Sequence, residues 1–434
     1  MVQIYRTKQR QQQSVVQEVT ITSLDLHGQG VGRSNGLVCF VPGALPGERV
    51  TARLTAKGKV ASGRLQGRVE TSSERIAPRC DYVGRCGGCQ LQHLAAPRQL
   101  YYKEAALKDE LRRAGIEVGA WQPPLTGPAF GYRRTMRLAI HQGQLGLRAV
   151  GSQNIIPINH CEVADPALAR LLPSLQELLA TLKGHRLLGH LELLHLPPHT
   201  AALWRLTGKL PKGDLEKLIA WAQSQDVVLY TQQEAIAQHW PEAPVSLGYP
   251  LDGLALGVGP ADFIQVNGAI NTAMVAQAMA WLAPTKTERV LDAYSGLGNF
   301  SLPLCKRAKA VVAVEGVAAM TARNQANAKA NGLDNLDAQT LNLDDPAAVQ
   351  ALLASGFDAA LLDPARPGAQ ALCQALAAGS GPGRVLYVSC NPATWKRDAA
   401  LLIDGGYRLV QLGLMDMFSQ TAHVELMALF IREG

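Results

Sequence analysis

From about Ala261 to the carboxyl end the chain alternates short apolar runs with helical stretches. The runs are "RVLDAYSG", "AVVAVEG", "DAQTLNL", "FDAALLDPA" and "RVLYVSCNP", each followed by a helix, then "YRLVQLGLMDMF" and "HVELMALFI". Such runs, separated by crossovers of a dozen or more residues, predict an α/β fold with a parallel, doubly wound sheet. Ligands of these sheets lie outside the carboxyl ends of the strands, where the strand order reverses. The residues that end each run are therefore the ones to read for chemistry.

The first run ends in "LDAYSGLGNF", where Gly296 and Gly298 allow a tight turn and a helix is expected from Asn299. The second ends in Glu315, 19 residues after Gly296, where a carboxylate is placed to accept both hydroxyls of a ribose. A lone Gly-x-Gly is as readily a structural turn. Joined to Glu315, to Asn342 after the third run and to Asp363 in "DPAR" after the fourth, it is similar to the class I, Rossmann-like fold that binds S-adenosylmethionine. A nicotinamide dehydrogenase is the rival, but its fingerprint carries a third glycine where this chain has Ser301.

The fifth run delivers Cys390 to the same edge. An isolated cysteine is more often a small buried hydrophobe, but position favours a nucleophile here. C5 of a pyrimidine is a poor nucleophile, and a thiolate adding to C6 turns the ring into an enolate whose C5 can attack a sulfonium methyl. The adduct must then lose its C5 proton. Glu425 is the candidate base, with Asp363 and His423 next in line, although His423 reads as a supporting hydrogen-bond group and Asp363 also as a helix cap.

The blocks "VSCNPATWKRD", "FSQTAHVE", "FIQVN", "DAYSGLGNFSLPL" and "LLDPARPG" resemble the RNA uracil-5-methyltransferase family across the whole carboxyl-terminal region. The resemblance implies that Cys390 is the nucleophile and Glu425 the general base. It implies cofactor contacts at Gln265, Tyr294, Asn299 and Glu315, with Asn342 and Asp363 beyond them. The chain departs from the family at Ser295, in place of a frequent Cys, at Ala365, in place of a second Pro, and at Ser419, in place of the usual Pro before the base motif.

Charge is uneven. Residues 1–150 hold 22 Lys and Arg against 10 Asp and Glu, whereas the rest hold 20 against 25. A basic front of this size fits a polyanion binder. Residues Val15 to Ser72 read as short strands, "VVQEVTITSL", "GLVCFVPG", "ERVTARLTA" and "ASGRLQGRVE", broken by "HGQGVG" and "PGALPG". That pattern predicts a small β-barrel. It resembles the TRAM domain, an OB-like RNA-binding barrel, with Arg33, Arg49, Arg53, Lys57, Lys59, Arg64 and Arg68 as its basic groups. Tyr132, Arg133, Arg134 and Arg137 are expected to extend this basic and aromatic surface, and Phe263 to stack on an extruded base.

"CDYVGRCGGCQLQH" spaces Cys80, Cys86 and Cys89 as C-x5-C-x2-C, and Cys161 follows 72 residues after Cys89. Four thiolates can hold zinc or an iron–sulfur cluster, and spacing alone favours zinc. The likeness of "CGGCQLQH" to a motif in the 23S ribosomal RNA branch of the family implies a [4Fe–4S] cluster instead, in a structural role. Cys39, Cys305 and Cys373 lie within apolar runs and read as core.

The expected organisation is a barrel (1–72), a central α+β iron–sulfur domain (73–260) and a catalytic methyltransferase domain (261–434). No run approaches the roughly 18 apolar residues of a membrane span, and "MVQIYRTKQRQQQS" is polar and basic, so the expectation is a cytoplasmic monomer. Barrel and cluster together resemble the 23S ribosomal RNA enzymes. Two rivals stay open: a uracil-5 methyltransferase of tRNA, and a noncatalytic RNA-binding assembly factor on a dead methyltransferase fold.

Overall fold

The computed structural model describes residues 14–234, 237–240, 245–379 and 381–432. Most of the polar amino-terminal stretch, residues 1–13, lies outside them. The chain forms two compact units. One comprises the chain up to Arg79 with Gln90–Glu110, the other Cys80–Cys89 with everything from Leu111 onward.

In the first unit, β1 (Ser14–Leu24), β2 (Gln29–Ser34), β3 (Leu37–Pro42), β4 (Arg49–Lys57) and β5 (Val60–Glu70) close a barrel in the order β1-β2-β3-β5-β4. Alternate residues such as Val19, Ile21, Cys39, Val41, Val50 and Ala52 fill its core. β2 occupies the Gly-rich stretch that the sequence presents as a break. A Cβ on Gly32 would lie 2.4 Å from the Thr20 carbonyl oxygen, so the glycine marks a close approach between strands rather than a turn. Fully buried Glu48 closes one end of the barrel. It accepts bonds from Leu45 N (2.9 Å) and from Arg75 Nε and Nη2 (2.5 and 2.9 Å). Burial favours its neutral form, but these bonds outweigh that and hold the carboxyl below its ordinary range.

In the second unit a seven-stranded sheet comes after β6 (Ala120–Leu125). Its strands are β7 (Thr135–His141), β8 (Gln144–Arg148), β9 (Ile155–Pro157), β10 (Leu188–Leu196), β11 (His199–Leu206), β12 (Val228–Gln232) and β13 (Gln238–Trp240), ordered β13-β12-β11-β10-β7-β8-β9. Leucines of the helix Leu172–Thr181 and Leu218 and Trp221 of the helix Lys212–Gln225 pack with Leu138, Leu191 and Trp204 of this sheet. A hairpin of β14 (Leu247–Leu251) and β15 (Leu254–Val258) comes next.

The catalytic sheet contains β16 (Arg289–Ala293), β17 (Ala310–Glu315), β18 (Leu336–Thr340), β19 (Ala359–Leu362), β20 (Arg384–Ser389), β21 (Tyr407–Met415) and β22 (Glu425–Arg432), ordered β18-β17-β16-β19-β20-β22-β21-β6. β16 to β20 are mutually parallel, as the βα alternation predicts, and the order reverses between β16 and β19. β22 inserts antiparallel between β20 and β21. β6, far upstream and within the stretch read as central, extends the edge of this sheet by pairing parallel with β21. Among the described residues no helix is long and apolar enough to cross a membrane.

Candidate active site

Register brings the expected nucleophile and base together. β20 pairs antiparallel with β22, with Ser389 opposite Leu426. Because β22 runs backwards, its first residue, Glu425, stands at the edge where the parallel strands end. Cys390 follows Ser389 at that edge, and Asp363 follows Leu362, which pairs with Tyr387 of β20. Burial raises the Cys390 thiol above its ordinary value, the Glu425 and Asp363 carboxylates raise it further, and Arg366 opposes them. Burial also pushes half-buried Asp363 up to about 7. Glu425 is buried.

The loops carrying these groups are tied to one another. The Arg366 carbonyl accepts bonds from Asn391 Nδ2 (2.9 Å) and Thr394 Oγ1 (3.0 Å). Asn391 Oδ1 also caps the helix Pro392–Asp404, with proline at its first position. "CNPAT" thus terminates the strand, starts the helix and fastens the Asp363 loop beside the cysteine.

At the switch point Tyr294, Gly296 and Gly298 all take positive φ, 64°, 54° and 105°. Gly296 N donates to Glu315 Oε2 (3.1 Å) and Val317 N to Glu315 Oε1 (3.0 Å), so one carboxylate braces the turn. A Cβ on Gly298 would lie 2.4 Å from both Asn324 Oδ1 and Leu302 Cδ1. Beneath the turn Asn324 Nδ2 donates to Ser301 Oγ (2.8 Å), which donates to Asp292. Full burial pushes Asp292 up to about 7, with Asp363 and Glu315 adding to the rise and Ser301 opposing it. The Tyr294 hydroxyl and Ser295 Oγ are buried and lack a hydrogen-bond partner among the described residues.

The remaining expected contacts divide. Asn299 exchanges two 2.9 Å bonds with Asn271, so its amide is committed to the helix Gly268–Leu282, and that first turn of helix runs from Ser301 rather than Asn299. Asn342 is exposed and accepts from Asp344 N (3.0 Å). The Gln265 carbonyl accepts from Arg134 Nε (2.8 Å). His423 is exposed and lies against the Phe418 ring, centroids 5.3 Å apart. Phe263, at 72% exposure, is an outward-facing aromatic as expected. Tyr132 and Arg134 are not surface groups: both are buried, the Arg134 guanidinium 4.2 Å from the centroid of the Tyr249 ring, because alternate residues of this stretch face the core. On the barrel, Arg49 pairs with Glu18 and Glu70, whereas Arg33, Arg53, Lys57, Lys59, Arg64 and Arg68 are exposed, Arg68 lying 3.8 Å from Glu48.

The thiols of Cys80 and Cys86 lie near enough to Cys161 to raise it electrostatically, after burial, and Cys80 does the same to Cys86. Cys89 and Cys161 pack against one core. Among the described residues no group of three His, Cys, Asp or Glu side chains is arranged to hold a metal ion. Cys39, Cys305 and Cys373 are buried core residues.

Residues 258–433 match the family described as tRNA (Uracil-5-)-methyltransferase, and residues 10–69 match the TRAM domain. The whole chain is 43% identical to the 23S rRNA (uracil(1939)-C(5))-methyltransferase RlmD of Aeromonas salmonicida, over 99% of this chain and 100% of that one. It is 46% identical to the RlmD of Pseudomonas fluorescens, over 95% of this chain and 91% of that one. The chain belongs to the RlmD family of 23S rRNA uracil-C5 methyltransferases. Among solved structures, the Pyrococcus abyssi tRNA (uracil-54, C5)-methyltransferase shares the fold, with a TM-score of 0.75 at 24% identity over 96% of this chain and 100% of that one.

In this RlmD-family chain a set of helix amides, not revealed by the run-end residues alone, supports the glycine turn and the β14–β15 hairpin. Asn327 Nδ2 donates to the Gly257 and Leu297 carbonyls (both 3.0 Å), and Asn331 Nδ2 donates to the Ala255 carbonyl (2.8 Å). With Asn324 these residues recur at three- and four-residue spacing in "TARNQANAKANG", one face of the helix Ala318–Ala330 and its cap. That amide stripe was the available signal, since buried amides on a helix face need partners.

Proposed function

We propose that this chain transfers a methyl group from S-adenosylmethionine to C5 of a uracil in 23S ribosomal RNA, the uracil(1939) of the relatives' names. The register that puts Cys390 and Glu425 at one edge carries this reading. Cys390 Sγ gives up its proton to solvent and adds as the thiolate to C6, which makes C5 an enolate carbon. The sulfonium of the donor supplies the methyl group. Glu425 then takes the C5 proton, and the electrons of that C–H bond restore the double bond as Sγ leaves C6.

Gln265, Tyr294, Asn299, Glu315, Asn342 and Asp363 are the residues assigned to the donor. The buried Tyr294 hydroxyl and Ser295 Oγ support a polar ligand over the turn, because native buried polar atoms rarely go unpaired. Asn299 serves this site by fastening the turn to the neighbouring helix.

Cys80, Cys86, Cys89 and Cys161 are assigned to a [4Fe–4S] cluster. The mutual influence of three of these thiols supports the assignment, as does the Gly88 N–H on Cys86 Sγ (3.4 Å). A cluster binds each thiolate to a different iron, so it accommodates sulfurs spaced more widely than a single ion does. On the barrel, Arg53 stands directly opposite Arg64 across β4 and β5. Facing like charges are destabilising unless a polyanion lies over them, which supports an RNA-binding face.

Mapping 5-methyluridine in RNA from cells lacking the protein tests the function. Loss at one uridine of 23S ribosomal RNA is expected; loss confined to tRNA, or no loss, would overturn it. Anaerobically purified protein is expected to hold about four irons and four sulfides per chain, and stoichiometric zinc without sulfide would refute the cluster.

A further inference from the structure

We infer that Tyr132 is a positioning residue for the base: its hydroxyl holds the loop between β21 and β22 so that Glu425 reaches the C5 proton. This inference rests on the reading of Glu425 as the base. Tyr132 is 7% exposed, and its hydroxyl donates to the Ser419 carbonyl at 2.8 Å. Its ring lies in the same core as Val163, Met415 and Met417. The backbone on either side of it is fixed, because Gly131 N and Arg133 N donate to the Glu162 and Val163 carbonyls, both at 2.9 Å. Tyr132 is therefore a rigid anchor rather than a mobile side chain that happens to find an acceptor.

The loop needs one. Gln420, next to Ser419, takes a left-handed φ of 69°, a conformation that a non-glycine residue keeps only when its surroundings over-determine it. Inside the loop Thr421 Oγ1 donates to the Phe418 carbonyl (2.8 Å) and His423 N to Thr421 Oγ1 (3.2 Å). At its start Asp416 N donates to the Leu125 carbonyl (2.9 Å), at the end of β6. These two anchors come from Leu125, the last residue of β6, and from Tyr132 beyond it.

Tyr132→Phe removes the donor and keeps the ring. In single-turnover reactions on unmodified 23S RNA fragments with labelled methyl donor, methyl transfer to the covalent adduct should keep its rate, as should donor affinity and the KM for RNA. Resolution of the labelled adduct should slow by roughly 10- to 100-fold, and hydrogen exchange should quicken at the amides of residues 416–424. Wild-type resolution, or an equal slowing of adduct formation, would overturn the inference. Unfolding of Tyr132→Phe would likewise show a structural role instead. Glu425→Gln runs alongside: if it fails to trap the adduct while Tyr132→Phe does, the base reading fails and Tyr132 acts on another group; if it traps and Tyr132→Phe does not, only the positioning role falls.

Discussion

Ser389 and Leu426 face each other across an antiparallel strand pair, and one step further toward the sheet edge lie Cys390 on one strand's end and Glu425 on the other's start. In the proposed mechanism the two act at opposite ends of one reaction. Cys390→Ala should abolish methyl transfer and every covalent protein–RNA species while the donor still binds. Glu425→Gln is nearly isosteric but cannot take the proton, so a labelled methylated adduct should survive denaturing electrophoresis. Normal turnover by Glu425→Gln would move the base to Asp363 first and His423 second.

The two glycines of the cofactor turn should differ. Gly296 and Gly298 both have positive φ, but a Cβ at Gly296 meets nothing within 4 Å, whereas one at Gly298 strikes Asn324 and Leu302. Gly296→Ala should cost about 1 kcal/mol of stability from backbone conformation alone. Gly298→Ala should add roughly 1–3 kcal/mol of overpacking and weaken donor binding, because it displaces the Asn324–Ser301–Asp292 chain. Thermal melts and calorimetric titration with the donor check the ranking; equal effects would refute it.

Two buried groups of the barrel unit predict acid sensitivity. Burial lowers His93 from 6.5 to about 4, with Arg75 adding to the fall. A histidine lowered on folding stabilises the native state above its unfolded value, and loses that contribution as pH falls from about 6.5 to 4. The full shift corresponds to about 3 kcal/mol. Glu48, also lowered, loses its contribution as pH falls below the ordinary carboxylate value, so the two losses follow one another in the same direction. Glu48→Gln should cost about 3 kcal/mol at neutral pH by stranding Arg75. Urea unfolding of the full chain at pH 7, 5.5 and 4 reads the slope; stability that rose on acidification would contradict it.

Arg53 and Arg64 should report the RNA face through salt. Each substitution to Ala should weaken RNA binding and lower the log–log salt slope by about 0.7 if it removes one phosphate contact. Arg49→Ala should change the slope little, since Glu18 and Glu70 already neutralise that residue. An unchanged slope for all three would place the RNA on another face.

The candidate residues at the strand ends were legible in the sequence because the signal is local: a run of β-forming residues ends in Glu315, or stops just before Asp363 or Cys390. The glycine turn and the cap at Asn391 are equally local, set by steric freedom and by hydrogen bonds reaching two or three residues. Only the tertiary structure decided which strands become neighbours. The antiparallel insertion of β22 placed Glu425 beside Cys390, β6 joined a sheet whose other strands begin more than a hundred residues later, and Tyr132 met Ser419 across 287 positions. The same dependence removed Tyr132 and Arg134 from the surface and paired Arg49 with Glu18 and Glu70. Periodicity specifies which face of a segment is buried, but the partner that buries it, or cancels its charge, is selected by packing among elements distant in sequence.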